Sequence, residues 1–363
     1  MAGLVNPVHQ GCAVAFLGPE GTFSHQAALQ AIAAVEPVWV VSTGSTTLAT
    51  ETTAAAAAAE AAQTPETAPQ QSTNQTDPPA LPIPVASVAE VFAAVSQGKA
   101  DLGVVAVENT VEGPVFATLD GLIASTDVVA IGEVILPITF TAFTKEPVLA
   151  DDPSLTEATA HPHGLAQVRQ YTRAHGWHEV PAASNAAACR DITPNQVAFG
   201  PALCGDLYGL QVLKENVADF PGAATRFLVL AKRSTAQPQH FASPNWRTLL
   251  AITPRATGPG VLARITKQFA RRKLNLSSLF SRPLKGQNGQ YLFVVTLDAP
   301  PWQPESRALL ADLLAAGDAV KTLGVWLANS DHATIGSVLP GSLPPGSVTG
   351  ADPAGALAQA LLW

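Results

Sequence analysis

The sequence predicts an α/β protein over its first two thirds and a ferredoxin-like βαββαβ unit over its last third. Short apolar runs alternate with helical patterns up to residue 235. That alternation is the mark of a parallel or mixed sheet covered by helices. After residue 246 the order becomes strand, helix, strand, strand, helix, strand, a split βαβ arrangement. With 47% hydrophobic and 13% charged residues in 363, the chain has apolar surface for more than one core.

Each element has its own justification. Cys12 to Leu17 is apolar and reads as a strand, followed by the turn Gly-Pro-Glu-Gly-Thr (18–22) and an Ala-rich helix from Phe23 to Val35. Val38 to Val41 is a short β-branched and aromatic strand. Ser87 with Glu90 three residues later forms a capping box, predicting a helix to Gln97. Leu102 to Val107 is a buried strand ending at Glu108-Asn109-Thr110, and Thr156–Ala160, Val197–Gly200 and Phe227–Ala231 are further strands. In the last third, Arg247–Thr253 is a strand. Gly258-Pro259-Gly260 then opens a helix with Val261, Leu262, Ile265 and Phe269 on one apolar face. Strands Leu274–Pro283 and Gln290–Asp298, a helix over Glu305–Ala316 and a strand over Ala319–Leu327 complete the unit.

Two segments stand apart. Residues 44–84 hold an alanine run at 54–59, many Thr, Gln and Pro, and no aromatic residue. This composition predicts a mobile insertion with at most a transient helix. The tail from 330, rich in Gly, Pro and Ser, reads as disordered, and Ser234–Pro244 reads as a break between the two structured regions.

Composition excludes several function classes. No apolar run reaches the length of a membrane span. The first 98 residues contain no Lys or Arg, hence no basic leader region. Cys12, Cys189 and Cys204 are far apart in sequence, which argues against a disulfide framework and points to a cytoplasmic protein with reduced thiols. His161-Pro162-His163 has no accompanying Cys or acid cluster, so it reads as a surface loop and no metal is expected. The basic cluster Arg264, Lys267, Arg271, Arg272, Lys273 lies on the polar face of an amphipathic helix without an interleaved aromatic platform, and the chain carries a net charge of −8. It reads as a solvated helix face, or as a surface meeting the acidic first region, and not as a nucleic-acid site.

Several strings occur in one order: VAFLGPEGTFSHQAAL, VVAVENTVEGPVFATLDGLI, HPHGLAQVRQY, SNAAAC, YGLQVL and ATRFLVLA, then NLSSLFSRP and GQYLFVV. Together they resemble the prephenate dehydratase family, most closely its actinobacterial branch. Residues 12–235 match its catalytic region and 246–328 its regulatory ACT domain. The resemblance implies a two-lobed, periplasmic-binding-protein-like catalytic region. Because the first motif lies almost at the start, it also implies a monofunctional enzyme without a fused mutase domain. The implied reaction converts prephenate to phenylpyruvate, water and carbon dioxide with no cofactor, since aromatisation drives it. L-Phenylalanine is the implied feedback effector, and a homodimer or homotetramer the implied assembly. Arogenate dehydratase and a non-catalytic sensor on the same fold are the alternatives, with a nucleic-acid regulator carrying an ACT sensor, motivated only by the basic helix, as a third.

The resemblance also assigns residues. Thr225-Arg226-Phe227 matches the family's catalytic signature, with Thr225 as proposed proton donor and Arg226 as support for the site or a carboxylate. Glu108 and Asn109 join them at a strand end, where an ordinary turn with a helix cap from Asn109 or Thr110 is the plainer reading. Thr22, Gln167, Ser184 and Asn185 are implied substrate contacts, and the backbone of residues 18–22 is a candidate anion nest. Gly260, Val261, Leu262, Asn275, Leu276 and Ser281 are implied effector contacts. Two departures stand out. Pro221-Gly222-Ala223-Ala224 lacks the Asn usual before Thr-Arg-Phe, and Phe280 replaces the usual acid of the effector motif.

Overall fold

The structure is a computed structural model that describes residues 12–34, 39–41, 81–238, 243, 245–284 and 289–328. The predicted tail, the turn at 285–288 and residues 44–80 of the predicted insertion lie outside the described residues.

The first lobe comprises β1 (Ala13–Leu17), α1 (Phe23–Ala34), β2 (Trp39–Val41), β3 (Leu81–Val85), α2 (Val88–Ser96), β4 (Leu102–Asn109), β5 (Gly113–Pro114), α3 (Phe116–Ala124) and β6 (Val128–Pro137). The second comprises β7 (Thr141–Thr144), β8 (Glu157–Ala160), α4 (Pro162–Gln167), α5 (Arg169–His175), β9 (His178–Pro181), α6 (Asn185–Arg190), β10 (Gln196–Gly200), α7 (Leu203–Tyr208) and β11 (Gln211–Lys214). The chain then re-enters the first lobe as β12 (Ala224–Lys232) and continues through β13 (Ala236–Pro238). The C-terminal unit follows with β14 (Trp246–Thr253), α8 (Val261–Arg271), β15 (Leu276–Pro283), β16 (Tyr291–Leu297), α9 (Pro304–Ala315) and β17 (Ala319–Leu327). Among the described residues, no helix is long and apolar enough to cross a membrane.

The helix signals behave as read. Ser87 Oγ accepts from Glu90 N–H at 3.2 Å, while the Glu90 carboxylate takes Ala86 N–H at 3.1 Å. The predicted insertion, however, ends earlier than composition indicated. Leu81–Val85 forms β3, paired in parallel register with β1 from Ala13↔Leu81 to Leu17↔Val85. Pro82 and Pro84 fit because β3 is an edge strand. Leu81 N–H and Val85 C=O face β1, so the alternate positions point their missing N–H outward, where proline also blunts the edge. The break at 234–244 likewise holds β13, which pairs with β2.

One sheet spans the first lobe and the C-terminal unit in the order β15-β16-β14-β17-β6-β12-β4-β1-β3. Its β15-β16-β14-β17 end has the ferredoxin-like order. The second lobe has its own sheet, β11-β7-β10-β8-β9. Two chain crossings join the lobes, at 138–140 and 215–223, and are bonded to each other by Val217 N–H to Phe140 C=O at 2.9 Å. The strand directions bring the carboxyl ends of β1, β3 and β4 to one sheet edge together with the amino end of antiparallel β12. Ligand sites of α/β sheets lie at such edges.

The junction between the two parts of the long sheet is tight. β17 meets β6 in parallel at Gly324↔Ala130. A Cβ on Gly324 would lie 2.6 Å from the Ala130 carbonyl oxygen and 2.5 Å from its Cβ. Backbone cannot retreat as a flexible side chain can, so Gly324→Val should force the strands apart and cost about 1–3 kcal/mol. Thermal unfolding followed by circular dichroism should show the lowered Tm. A Tm equal to that of the parent chain would refute the junction.

The basic face of α8 finds acids within its own unit. Arg264 grips Asp318 with two contacts of 2.7 Å, and Arg272 pairs with Asp312. The partners predicted in the acidic first region are therefore not used by these two arginines. Leu262 also departs from the predicted apolar face. It is 39% exposed, whereas Ile265 and Phe269 are buried.

Candidate active site

A β-bulge decides which side chains share a face. Along β12, Phe227 packs in the core facing the second lobe, and Leu228 in the core beneath α2 and α3. Alternation therefore turns Thr225 toward the second lobe and Arg226 away from it. On β4, Val105 and Val107 belong to the α2–α3 core, so unbroken alternation would put Asn109 there too. The register shifts between Arg226 and Phe227, where Glu108 opposes Arg226 but Ala106 opposes Phe227. The extra residue, Val107, shifts the phase of β4, and Asn109 comes round to the face of Thr225.

The result is a short, defined contact. Asn109 Nδ2 donates to Thr225 Oγ1 at 2.7 Å. Asn109 Oδ1 accepts from Val111 and Glu112 N–H at 2.8 and 2.9 Å, fixing the amide's orientation. This is a turn bond and not the helix cap weighed from sequence, and β4 itself runs on through Glu108 and Asn109. Thr225 is 7% exposed. Its oxygen accepts a hydrogen bond from the Asn109 amide, so its own O–H is left to donate, and an amide donor on the oxygen makes that O–H more acidic.

Arg226 lies on the other face. Its Nη2 donates to Glu108 Oε2 at 2.7 Å, and Nη1 lies 4.0 Å from Glu133 Oε2. Two carboxylates thus surround one guanidinium on the face opposite Thr225, which corrects the expectation that Arg226 and Glu108 act with Thr225. Phe227, 1% exposed, is a core residue two positions along from Thr225.

The remaining predicted contacts divide. Gln167 is 5% exposed and its Oε1 is buried without a hydrogen-bond partner, while its carbonyl accepts Asp219 N–H at 2.7 Å. A solvent-facing glutamine is therefore excluded, and an orphan buried acceptor invites a donor. Ser184 Oγ caps α6 by accepting Ala187 N–H at 2.9 Å. It lines a groove of about 470 Å³ between Gly18, Pro19, Pro84 and Val85 of one lobe and Ala187 and Arg190 of the other. Asn185 Oδ1 instead accepts His161 N–H at 2.9 Å, tying α6 to α4 inside the second lobe. Thr22 Oγ1 shares its proton between the Leu17 and Pro19 carbonyls and accepts His25 N–H, so it closes the loop.

The anion-nest reading of residues 18–22 also fails in part. Gly18 N–H is taken by Val85 C=O, and Gly21 N–H by His25 Nδ1 at 3.1 Å. His25 stacks on Phe16, and burial holds its imidazole below its usual pKa. Beneath this loop, Cys204 Sγ donates to the Gly21 carbonyl at 3.2 Å, and the thiols of Cys189 and Cys204 converge on Gly200. Residues distant in sequence are thus neighbours in space.

Sequence reasoning missed Glu133, although a single charge in the apolar run Val128–Pro137 is a signal. It also missed His161 as the cap of α4, which it had placed in a surface loop.

In the C-terminal unit, a cleft of about 620 Å³ is lined by Gly260, Val261, Leu262 and Ser281, with Tyr291 and Phe293 completing the wall. Asn275 and Leu276 are not part of it. Asn275 Nδ2 donates to Asp298 Oδ2 at 2.5 Å, and Leu276 packs in the core of this unit. Phe280 and Arg282 alternate with Ser281 and turn toward the first lobe, where Phe280 packs against the α2–α3 core.

Comparison with known proteins agrees with this architecture. Residues 60–235 match the family model for prephenate dehydratase. A prephenate dehydratase of Mycolicibacterium vanbaalenii is 30% identical over 324 residues, covering 86% of this chain and 90% of that protein. One from Amycolatopsis methanolica is 32% identical over 234 residues, covering 63% and 73%. The solved prephenate dehydratase of Arthrobacter aurescens, in complex with L-Phe, is 27% identical and superimposes with a TM-score of 0.67 over 87% of this chain and 90% of that one. The chain belongs to the prephenate dehydratase family.

Proposed function

We propose that Thr225 and Asn109 carry the prephenate dehydratase reaction in this chain, with Gln167 holding substrate and the 620 Å³ cleft taking L-phenylalanine as feedback effector. The observation that carries the reading is the 2.7 Å Asn109–Thr225 bond at the lobe-facing sheet edge. In the reaction the ring carboxylate leaves as carbon dioxide and its bonding electrons enter the ring. The C–O bond to the ring hydroxyl breaks, and one proton converts the leaving hydroxide to water. Thr225 O–H is the donor that the geometry favours, its oxygen being polarised by Asn109 and recharged afterwards from solvent. Gln167 Oε1, buried and unpartnered, accepts a substrate hydroxyl.

Effector binding is supported by the cleft and by the L-Phe complex of the Arthrobacter protein. Phe280 does not enter the cleft wall, so its replacement of the usual acid leaves the cleft standing. The homo-oligomer and the cytoplasmic setting expected from the sequence remain part of this proposal.

Purified chain supplied with prephenate should release phenylpyruvate, followed by its absorbance in alkali, and L-phenylalanine should suppress the rate. Turnover of arogenate in preference to prephenate would move the substrate assignment. Folded protein that turns over neither would leave the sensor alternative.

A further inference from the structure

Helix α3 belongs to the first lobe but is gripped at both ends by the C-terminal unit. Arg282 of β15 contacts Asp120 three times, Nε to Oδ1 at 3.0 Å and Nη2 to Oδ1 and Oδ2 at 2.8 and 2.9 Å. Its guanidinium carbon also lies 4.3 Å from the centre of the Phe116 ring. At the far end, Lys321 of β17 donates to the carbonyls of Leu122 and Ile123 at 3.0 and 2.7 Å and also to that of Ser125. A helix leaves its last carbonyls without internal partners, and a cation there matches the helix dipole.

The same helix is bonded to the strand that carries Asn109. Thr118 Oγ1 donates to the Ala106 carbonyl at 2.5 Å. β5, immediately before α3, pairs with Glu108 and Asn109. A Cβ on Gly121 would lie 2.5 Å from the Phe92 ring, so α3 sits close against α2. On the other side, Arg282 follows Ser281, whose residue lines the cleft. A continuous series of contacts therefore runs from Ser281 through Arg282 and Asp120 to α3, β5, Asn109 and Thr225.

We propose that the Asp120–Arg282 pair is the positioning link by which a ligand in the Ser281 cleft changes the Asn109–Thr225 pair, with α3 as the moving part. The proposal rests on the feedback reading above. A two-point guanidinium–carboxylate contact is directional, so β15 cannot shift without moving α3 or breaking the pair. Both side chains are largely shielded, at 18% and 25% exposure, so solvent screens the contact only in part. Coupling between the two sites also obliges substrate to weaken effector binding by the same factor.

The test compares full-length parent chain with Asp120→Asn by calorimetric titration with L-phenylalanine and by inhibition of prephenate turnover. L-Phenylalanine should bind the variant within about 3-fold of the parent, while the fold-inhibition of prephenate turnover at saturating L-phenylalanine drops by about 10-fold or more. The charge exchange Asp120→Arg with Arg282→Asp should restore part of the inhibition. If Asp120→Asn does not fold by circular dichroism, Arg282→Lys decides instead, since it keeps the charge and loses the two-point contact. Unchanged inhibition would overturn the proposal. So would loss of binding in proportion to inhibition, which would make the pair a mere support of the cleft. A parent chain that neither binds nor responds to L-phenylalanine would overturn the effector reading, and the link with it.

Discussion

Thr225→Val should lower kcat for prephenate by about 10²–10⁴-fold, the range expected when a positioned proton donor is removed. Valine keeps the shape and the β-branch, so β12 should keep its pairing and KM should move little. The variant leaves Asn109 Nδ2 facing a methyl group, at a cost of about 1–3 kcal/mol, so its folding must be checked by thermal melting. Thr225→Ser retains the hydroxyl and should recover most of the rate. Asn109→Leu removes the polarising amide and frees the turn at Val111 and Glu112, and should cost about 10–10²-fold on the same scale. The double variant should be little worse than Thr225→Val alone, because both residues act on one proton. A Thr225→Val protein turning over at the parent rate would remove the proton-donor assignment.

Much of this site was legible, and the parts that were not have physical reasons. Strands β4 and β12 announce themselves as apolar β-branched runs, and their pairing brings Asn109 opposite Thr225. What no local pattern revealed is the bulge at Val107, which alone turns Asn109 to the right face. Arg226 was misplaced for the opposite reason. Three adjacent motif residues invite a shared role, yet alternation on a strand separates the middle one, and that rule was available from the sequence. β3 was hidden because Pro82 and Pro84 argue against a strand unless it lies at an edge, which is a tertiary fact. In the C-terminal cleft, the glycines at 258 and 260 mark one wall. Tyr291 and Phe293, on the opposite wall, sit in a run indistinguishable from core strand. Asn275 and Leu276 sit in the motif without reaching the cleft, and a neighbouring acid, Asp298, accounts for Asn275 without any ligand.

Arg226→Met should therefore show itself as a stability defect and not as a substrate-binding defect. In the parent, the guanidinium is held by Glu108 and flanked by Glu133, whose side chain is 1% exposed. Two carboxylates around one cation leave the cluster net negative, so it repels a second anion instead of recruiting a substrate carboxylate. Removing the cation takes the guanidinium away from Glu108 and from the buried Glu133 together. Losing one partner of a fully buried pair costs about 3–5 kcal/mol, and the partial exposure of Arg226 and Glu108 brings the expectation to about 2–4 kcal/mol. Pairing Arg226→Met with Glu133→Gln should recover part of that loss, since the neutral amide no longer calls for the guanidinium. The folded fraction of Arg226→Met should keep KM for prephenate within a few-fold of the parent. A large rise in KM at unchanged Tm would instead return Arg226 to the substrate. It would also require the β4–β12 register to differ from Glu108↔Arg226, since that register is what turns the guanidinium away from Thr225.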